Sequence, residues 1–172
     1  MKKTAIFIAL ALFVGQATSI QAQTKLKEAE SETAEVAFEK PYHPEEDAQA
    51  RIDGLLEQAK KEHKNILIQA GGNWCIWCLM FNNFVKTTPD VKAVLDENYL
   101  YYHLNYSPEN KNEAVFAQYA PEGGKLGYPF FIVLDSEGNV LKVRESGSLE
   151  EGRGYNKEKV LAFFNAYKPT EG

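Results

Sequence analysis

Cysteine is the scarce residue in this chain. Its 172 residues include only two, Cys75 and Cys78. That excludes a scaffold stapled by several disulfides, because small secreted domains of that kind carry more cysteines at longer spacings. Histidine is scarce as well: His43, His63 and His103 are all there are, and none stands at ligand spacing from the cysteines. Basic excess is missing. Nineteen Lys and Arg face 24 Asp and Glu, a formal charge of −5, which leaves no footprint for nucleic acid and no polybasic membrane anchor. Long apolar runs are missing too. The longest, Ala5 to Val14, falls short of the ~20 residues that a membrane-spanning helix needs. There is no internal repeat and no sign of a second domain.

The short apolar run has its own meaning. Met1-Lys2-Lys3 precedes it and small or polar residues, Gly15 to Gln23, follow. A basic start, an apolar stretch and a small-residue segment together read as a secretory signal peptide. Cleavage after Ala22 is the expected site, with Ala17 as the second choice and an uncleaved anchor as the alternative reading. The chain then divides into residues 1–22 (signal peptide), 23–35 (polar lead-in) and 36–168 (folded domain). Export carries the thiols into an oxidising compartment, where a cysteine pair can exist as a disulfide.

With 44% apolar residues, the remainder can bury one core. Val36 and Phe38 alternate with Ala37 and Glu39, a pattern that allows a short edge strand. Pro44 and the acids after it suit a helix start, and Ala48, Ile52, Leu55, Leu56 and Ala59 form its apolar stripe. Ile66 to Ala70 reads as a buried strand. A helix carrying both cysteines runs to about Lys86, and another starts at Thr87-Thr88-Pro89-Asp90 and ends near Asn98. Tyr99 to Tyr106 alternates as a strand. Ser107-Pro108-Glu109 is expected to cap a further helix through Tyr119, followed by a flexible loop from Pro121 to Gly127. Tyr128 to Leu134 and Val140 to Arg144 read as a hairpin around Asp135–Asn139. Asn156 to Lys168 is a terminal helix. The simplest closure is an α/β fold, a central mixed sheet with helices on both faces, its first strands parallel through a right-handed crossover.

The chemistry concentrates in Gly71-Gly72-Asn73-Trp74-Cys75-Ile76-Trp77-Cys78. This stretch joins a strand to a helix. A cysteine at a helix start faces unpaired backbone N–H groups and the positive end of the helix dipole. Both favour thiolate over thiol, bringing the pKa into a range of about 3.5–7.5. Three residues on, a second sulfur lies close enough to close a small ring with the first.

Trp74-Cys75-Ile76-Trp77-Cys78 after the central strand, with Tyr128-Pro129 entering the later hairpin, resembles the thioredoxin-like family, and within it the exported bacterial proteins that carry W-C-x-x-C. The resemblance spans about Val36 to Lys168. It implies a thioredoxin fold and a periplasmic thiol–disulfide oxidoreductase that needs no cofactor. By the resemblance, Cys75 is the nucleophile, Cys78 the resolving thiol, and the two form the redox-active disulfide. Trp74 matches the aromatic beside the active site. Pro129 matches the family's cis-proline, and Tyr128 the position that shapes the contact with an extended substrate. Trp77 joins Trp74 and Tyr128 in an aromatic surface for substrate. The implied partners are protein thiols or disulfides and a membrane thiol carrier, the reductase direction is preferred, and the chain is expected to be a monomer.

Three departures from the family pattern stand out. Gln69 stands where a buried acid often lies six residues before the first cysteine, and it cannot ionise. His103, in His103-Leu104-Asn105, stands where a lysine is common. It is either a proton-handling group or a half-exposed strand histidine. Ile76-Trp77 replaces the Gly-Pro of thioredoxin, and about 30 mV of potential is worth about 1.4 kcal/mol in this couple, so direction stays open to measurement. Other readings of the pair are an inert disulfide, a metal-binding module using the two sulfurs, a protein-binding groove without turnover, and a peroxidase, for which Trp74 and Ile76 do not supply the usual pocket.

Overall fold

The central strand β1 (Asn65–Gly71) is buried along its whole length, which is why its sequence reads as an almost unbroken apolar run. In the computed structural model, residues 37–170 are described, and the compact unit begins at Phe38. Helix α1 (Ala48–Glu62) precedes β1; α2 (Ile76–Thr87), α3 (Pro89–Asn98) and β2 (Tyr99–Asn105) follow it. Then come α4 (Glu113–Tyr119), a one-turn 3-10 segment (Gly123–Lys125), and the hairpin of β3 (Phe130–Leu134) and β4 (Val140–Glu145). A two-residue hairpin, β5 (Glu150–Glu151) and β6 (Gly154–Tyr155), leads into α5 (Lys157–Ala166).

The sheet order is β2-β1-β3-β4. β2 runs parallel to β1, with Gln69 opposite His103, whereas β3 is antiparallel to both β1 and β4. Alternation along the strands divides the core. Ile66, Ile68, Leu104, Phe130 and Ile132 pack against α1 and α4. Leu67, Phe131 and Val133 pack against α2, α3 and α5. Gln69 shares the second face, being two residues from Leu67. It therefore lies beneath α2, the helix that carries the cysteines. β4 is an outer strand, and Lys142, Arg144 and Glu145 give it charges that discourage pairing with another chain.

Several boundaries differ from the sequence expectation. Ala37 and Phe38 form no strand, and Val36 lies outside the described residues, as do the segments expected to be a signal peptide (1–22) and a polar lead-in (23–35). Pro44 does not open α1. It sits in a turn closed by the Glu46 N–H donating to the His43 carbonyl at 3.2 Å, and α1 starts at Ala48. The Asp47 carboxylate decides this by accepting from the Ala50 N–H at 3.0 Å, which proline's geometry alone cannot do. Ser107-Pro108-Glu109 likewise forms a loop, not a cap. Ser107 and Asn110 exchange backbone hydrogen bonds, and α4 begins only after Asn112, whose φ of 51° is left-handed. Asn110 then donates its side-chain amide to the Pro44 carbonyl at 3.0 Å, which ties this loop to the turn before α1.

Candidate active site

Both cysteines belong to the start of α2. Cys75 is the N-cap residue, in extended conformation, and its sulfur accepts from the Cys78 N–H at 3.2 Å. The two are joined as a disulfide with Cα atoms 5.2 Å apart. Cys75 keeps a thin exposed edge at 6%, and Cys78 has none. The two residues are thus unequal in exposure before any chemistry is considered.

The surroundings are aromatic. Trp74, 57% exposed, donates its indole N–H to the Tyr106 carbonyl at 2.7 Å and meets the Tyr128 ring edge-on at 5.5 Å. Tyr106 stacks on Tyr128 at 5.2 Å. The Tyr128–Pro129 peptide bond is cis. Burial pushes the Tyr128 phenol up to about 12. Trp77, half-buried, leans on Tyr155, and the Tyr155 hydroxyl donates to the Trp77 carbonyl at 3.1 Å. A cleft of about 700 Å³ opens beside Trp74, bounded by Tyr106, Pro108, Pro44 and Lys111.

Two glycines make this approach possible. A Cβ at Gly72 would lie 2.3 Å from the Trp74 indole nitrogen and 2.8 Å from the Tyr106 carbonyl oxygen, inside the hydrogen bond that holds Trp74. A Cβ at Gly71 would lie 2.5 Å from the Cys78 sulfur and 2.8 Å from the Tyr42 hydroxyl. Both neighbours are buried and cannot swing away. Gly71→Ala is accordingly expected to destabilise the fold by about 1–3 kcal/mol, the usual cost of overpacking, measured by denaturant unfolding of the oxidised protein.

Below the sulfurs lies an uncharged polar layer. Gln69 is fully buried and uses its whole side chain. Its amide nitrogen donates to the Tyr42 hydroxyl at 2.7 Å and to the Cys78 carbonyl at 2.9 Å, and its oxygen accepts from the Tyr101 hydroxyl. Tyr42, 2% exposed, packs with Cys75 and Cys78, and with Trp77 and Tyr128 at the margin. Nothing in the periodicity of Pro41-Tyr42-His43-Pro44 marks Tyr42 as a site residue, so sequence reasoning missed it. Tyr106 and Tyr155 were missed for the same reason.

His103 is placed behind this layer. Its ring meets Tyr42 edge-on at 5.2 Å and Tyr101 at 4.5 Å, and its Nε2 is buried without a hydrogen-bond partner. Among the described residues no hydrogen bond links it to either cysteine. Burial, and next the Lys86 charge, pull its pKa from 6.5 down to about 4. The unfolded chain therefore takes up a proton that the folded chain resists. The stability tied to neutral His103 is complete above about 6.5 and is lost as pH falls towards about 4. The melting temperature should fall more steeply over that window in the native protein than in His103→Phe, as read by thermal scans at several pH values.

Among the described residues, no group of three or more His, Cys, Asp or Glu side chains is placed to hold a metal ion, and no helix is long and apolar enough to cross a membrane.

The family model described as thioredoxin-like matches residues 47–136, more than half of the chain and inclusive of both cysteines and the Tyr128–Pro129 bond. The chain belongs to the thioredoxin-like family. Among solved structures, it is similar to a disulphide isomerase from Xylella fastidiosa Temecula1, with 22% identity and a TM-score of 0.65 over 76% of this chain and 98% of that one. It also matches the C-terminal domain of Neisseria meningitidis DsbD in its oxidised form, at 19% identity and a TM-score of 0.49 over 70% and 95% of the two chains. A third match is a DsbH oxidoreductase, at 23% identity and a TM-score of 0.47 over 65% and 78%. The first likeness is one of fold. No curated protein matches the chain.

Proposed function

We propose that this thioredoxin-like chain is a thiol–disulfide oxidoreductase that exchanges disulfides with exported proteins through Cys75 and Cys78. The observation that carries this reading is the disulfide at the first turn of α2, with Cys75 slightly exposed and Cys78 fully enclosed. Cys75 is the nucleophile: it has the exposed edge, it caps the helix, and it accepts a backbone N–H that favours its thiolate. Cys78 is the resolving thiol. Substrate lies in extended form against Tyr128 and Pro129, between them and Trp74, and Trp77 supports the aromatic wall from the other side.

The reaction runs in two exchanges. The Cys75 thiolate attacks a substrate disulfide, forming a Cys75–substrate bond and releasing one substrate thiolate. The Cys78 thiolate then attacks Cys75, closes the intramolecular disulfide and releases the second. The protein loses two electrons and the substrate gains them. A membrane thiol carrier returns the electrons. The domain order is a signal peptide, residues 1–22, cleaved after Ala22; a polar lead-in, 23–35; and the catalytic domain, 36–168, working as a monomer in the periplasm. His103, neutral and without a bond to sulfur, acts through packing in this scheme and not as the proton acceptor.

Equilibration with glutathione buffers tests both activity and direction. A potential near about −270 mV supports the reductase, and one near about −120 mV reverses the direction. A pair that neither equilibrates with the buffer nor reduces insulin overturns the enzymatic reading and leaves a binding groove.

A further inference from the structure

Cys78 poses a problem of proton control. Its sulfur is fully enclosed, and burial in apolar surroundings raises a thiol's pKa, yet resolution requires the thiolate. Gln69 lies directly beneath it but cannot help the sulfur. Both amide protons are already committed, one to the Tyr42 oxygen and one to the Cys78 carbonyl, and that carbonyl, which can only accept, fixes which end of the amide is which.

Tyr42 is differently placed. Its oxygen accepts from Gln69, which leaves its own proton free, and among the described residues that proton has no acceptor. The hydroxyl and the Cys78 sulfur converge on the space left by the missing side chain of Gly71. A disulfide sulfur is a poor acceptor, whereas a thiolate is a good one. We propose that in the dithiol form the Tyr42 hydroxyl donates a hydrogen bond to the Cys78 sulfur and thereby sets the pH at which Cys78 becomes the attacking thiolate. Tyr42 is then a positioning residue for the second exchange. This rests on the redox reading above.

The balance is simple. Cys78 loses its proton to solvent on ionising, while Tyr42 keeps its own. The Cys78 thiolate forms the bond to Cys75, the Cys75–substrate bond breaks, and the electron pair leaves on the substrate sulfur. Burial holds the Tyr42 phenol far above its usual range, so it remains a donor throughout. The other titratable groups around it are His103 and Tyr101 on β2, Tyr155 on β6, Tyr128 before β3, and Cys75. Past His103 stand Glu39 and Lys86, paired with each other. His43 turns outward onto Glu45.

The test titrates Cys78 in the reduced full chain by the nuclear resonance of isotope-labelled cysteine Cβ atoms, and follows mixed-disulfide formation and resolution with a peptide disulfide in single-turnover kinetics. Tyr42→Phe should raise the Cys78 pKa by about one unit and slow resolution by about tenfold, as loss of a bond to a charged acceptor does, with mixed-disulfide formation unchanged. A fluorinated tyrosine at position 42, which keeps the ring and strengthens the donor, should move the Cys78 pKa down. If Tyr42→Phe titrates and resolves as the native protein does, or if the fluorinated residue raises the Cys78 pKa or leaves it unmoved, the inference is wrong. Should Tyr42→Phe fail to fold, the fluorinated protein decides alone. The titration needs no turnover, so a native protein that does not exchange disulfides overturns the redox reading without disturbing this result.

Discussion

Cys78→Ser should trap the protein on its substrate, while Cys75→Ser should leave it unable to engage one. The asymmetry comes from placement. Cys75 holds the N-cap of α2 and is the less buried of the two cysteines, so an incoming disulfide is expected to meet it first. Removing a nucleophile that acts at the head of a reaction sequence costs on the order of a thousandfold or more in turnover. With Cys78 replaced, the first exchange proceeds, and the covalent Cys75–substrate species has no partner sulfur to release it. Incubation with an oxidised protein substrate, followed by nonreducing electrophoresis and mass analysis, reads both outcomes. The expected pattern is a stable adduct for Cys78→Ser, no adduct for Cys75→Ser, and transient adduct for the native chain. Equal adducts from both variants would mean that Cys78 is accessible, contrary to its enclosure, and would overturn the assignment of separate roles.

Much of this arrangement was legible before the structure. Ile66 to Ala70 announced a strand buried on both faces, and strands of that kind leave a continuous apolar signal. Pro89 marked the start of α3 because its fixed φ suits a first turn and no stronger cap competes there; Thr88 makes no side-chain cap bond. At α1 the same logic failed, since Asp47 offers a carboxylate to a backbone N–H and outweighs Pro44 three residues earlier. At α4 it failed because Asn105, Asn110 and Asn112 satisfy the loop with side-chain amides, which holds the chain out of helix until Glu113. Those bonds join residues whose approach depends on the finished fold, and periodicity carries no trace of them.

The site divides in the same way. A C-x-x-C pair is local in sequence, and its place on a strand-to-helix turn could be read directly. Its supporting layer is not local. Tyr42 stands 27 residues from Gln69, and Tyr101 stands 32. Gln69 drew notice only as a residue that cannot ionise. The structure supplies the complement: its amide is saturated by three partners, one of them a phenol with a free proton. An uncharged layer under an enclosed sulfur avoids the large cost of burying an unpaired carboxylate, at the expense of a dedicated proton acceptor.

Phe81→Ala tests whether this layer depends on the core behind it. Phe81 is fully buried on α2, one turn beyond Cys78, with its ring 4.5 Å from Phe131 and 4.8 Å from Tyr155. Phe131 anchors it to β3. Tyr155 links it back to the site by donating to the Trp77 carbonyl. Removing a buried phenylalanine ring costs about 3–5 kcal/mol, through lost transfer energy and the cavity left behind. In a domain of this size that lowers the melting temperature by roughly 10–20 °C. Phe84, only half-buried and 6.4 Å from Phe81, should cost less when truncated. The two variants should also differ at the site. Without Phe81, Tyr155 loses its edge-on support, and backbone amides around Trp77 should exchange with solvent faster than those in α1, whose packing lies on the opposite face of the sheet. Hydrogen exchange read by mass spectrometry checks this. Uniform loss of protection across both faces would show that Phe81 stabilises the domain as a whole, with no preferential coupling to the turn that carries the cysteines.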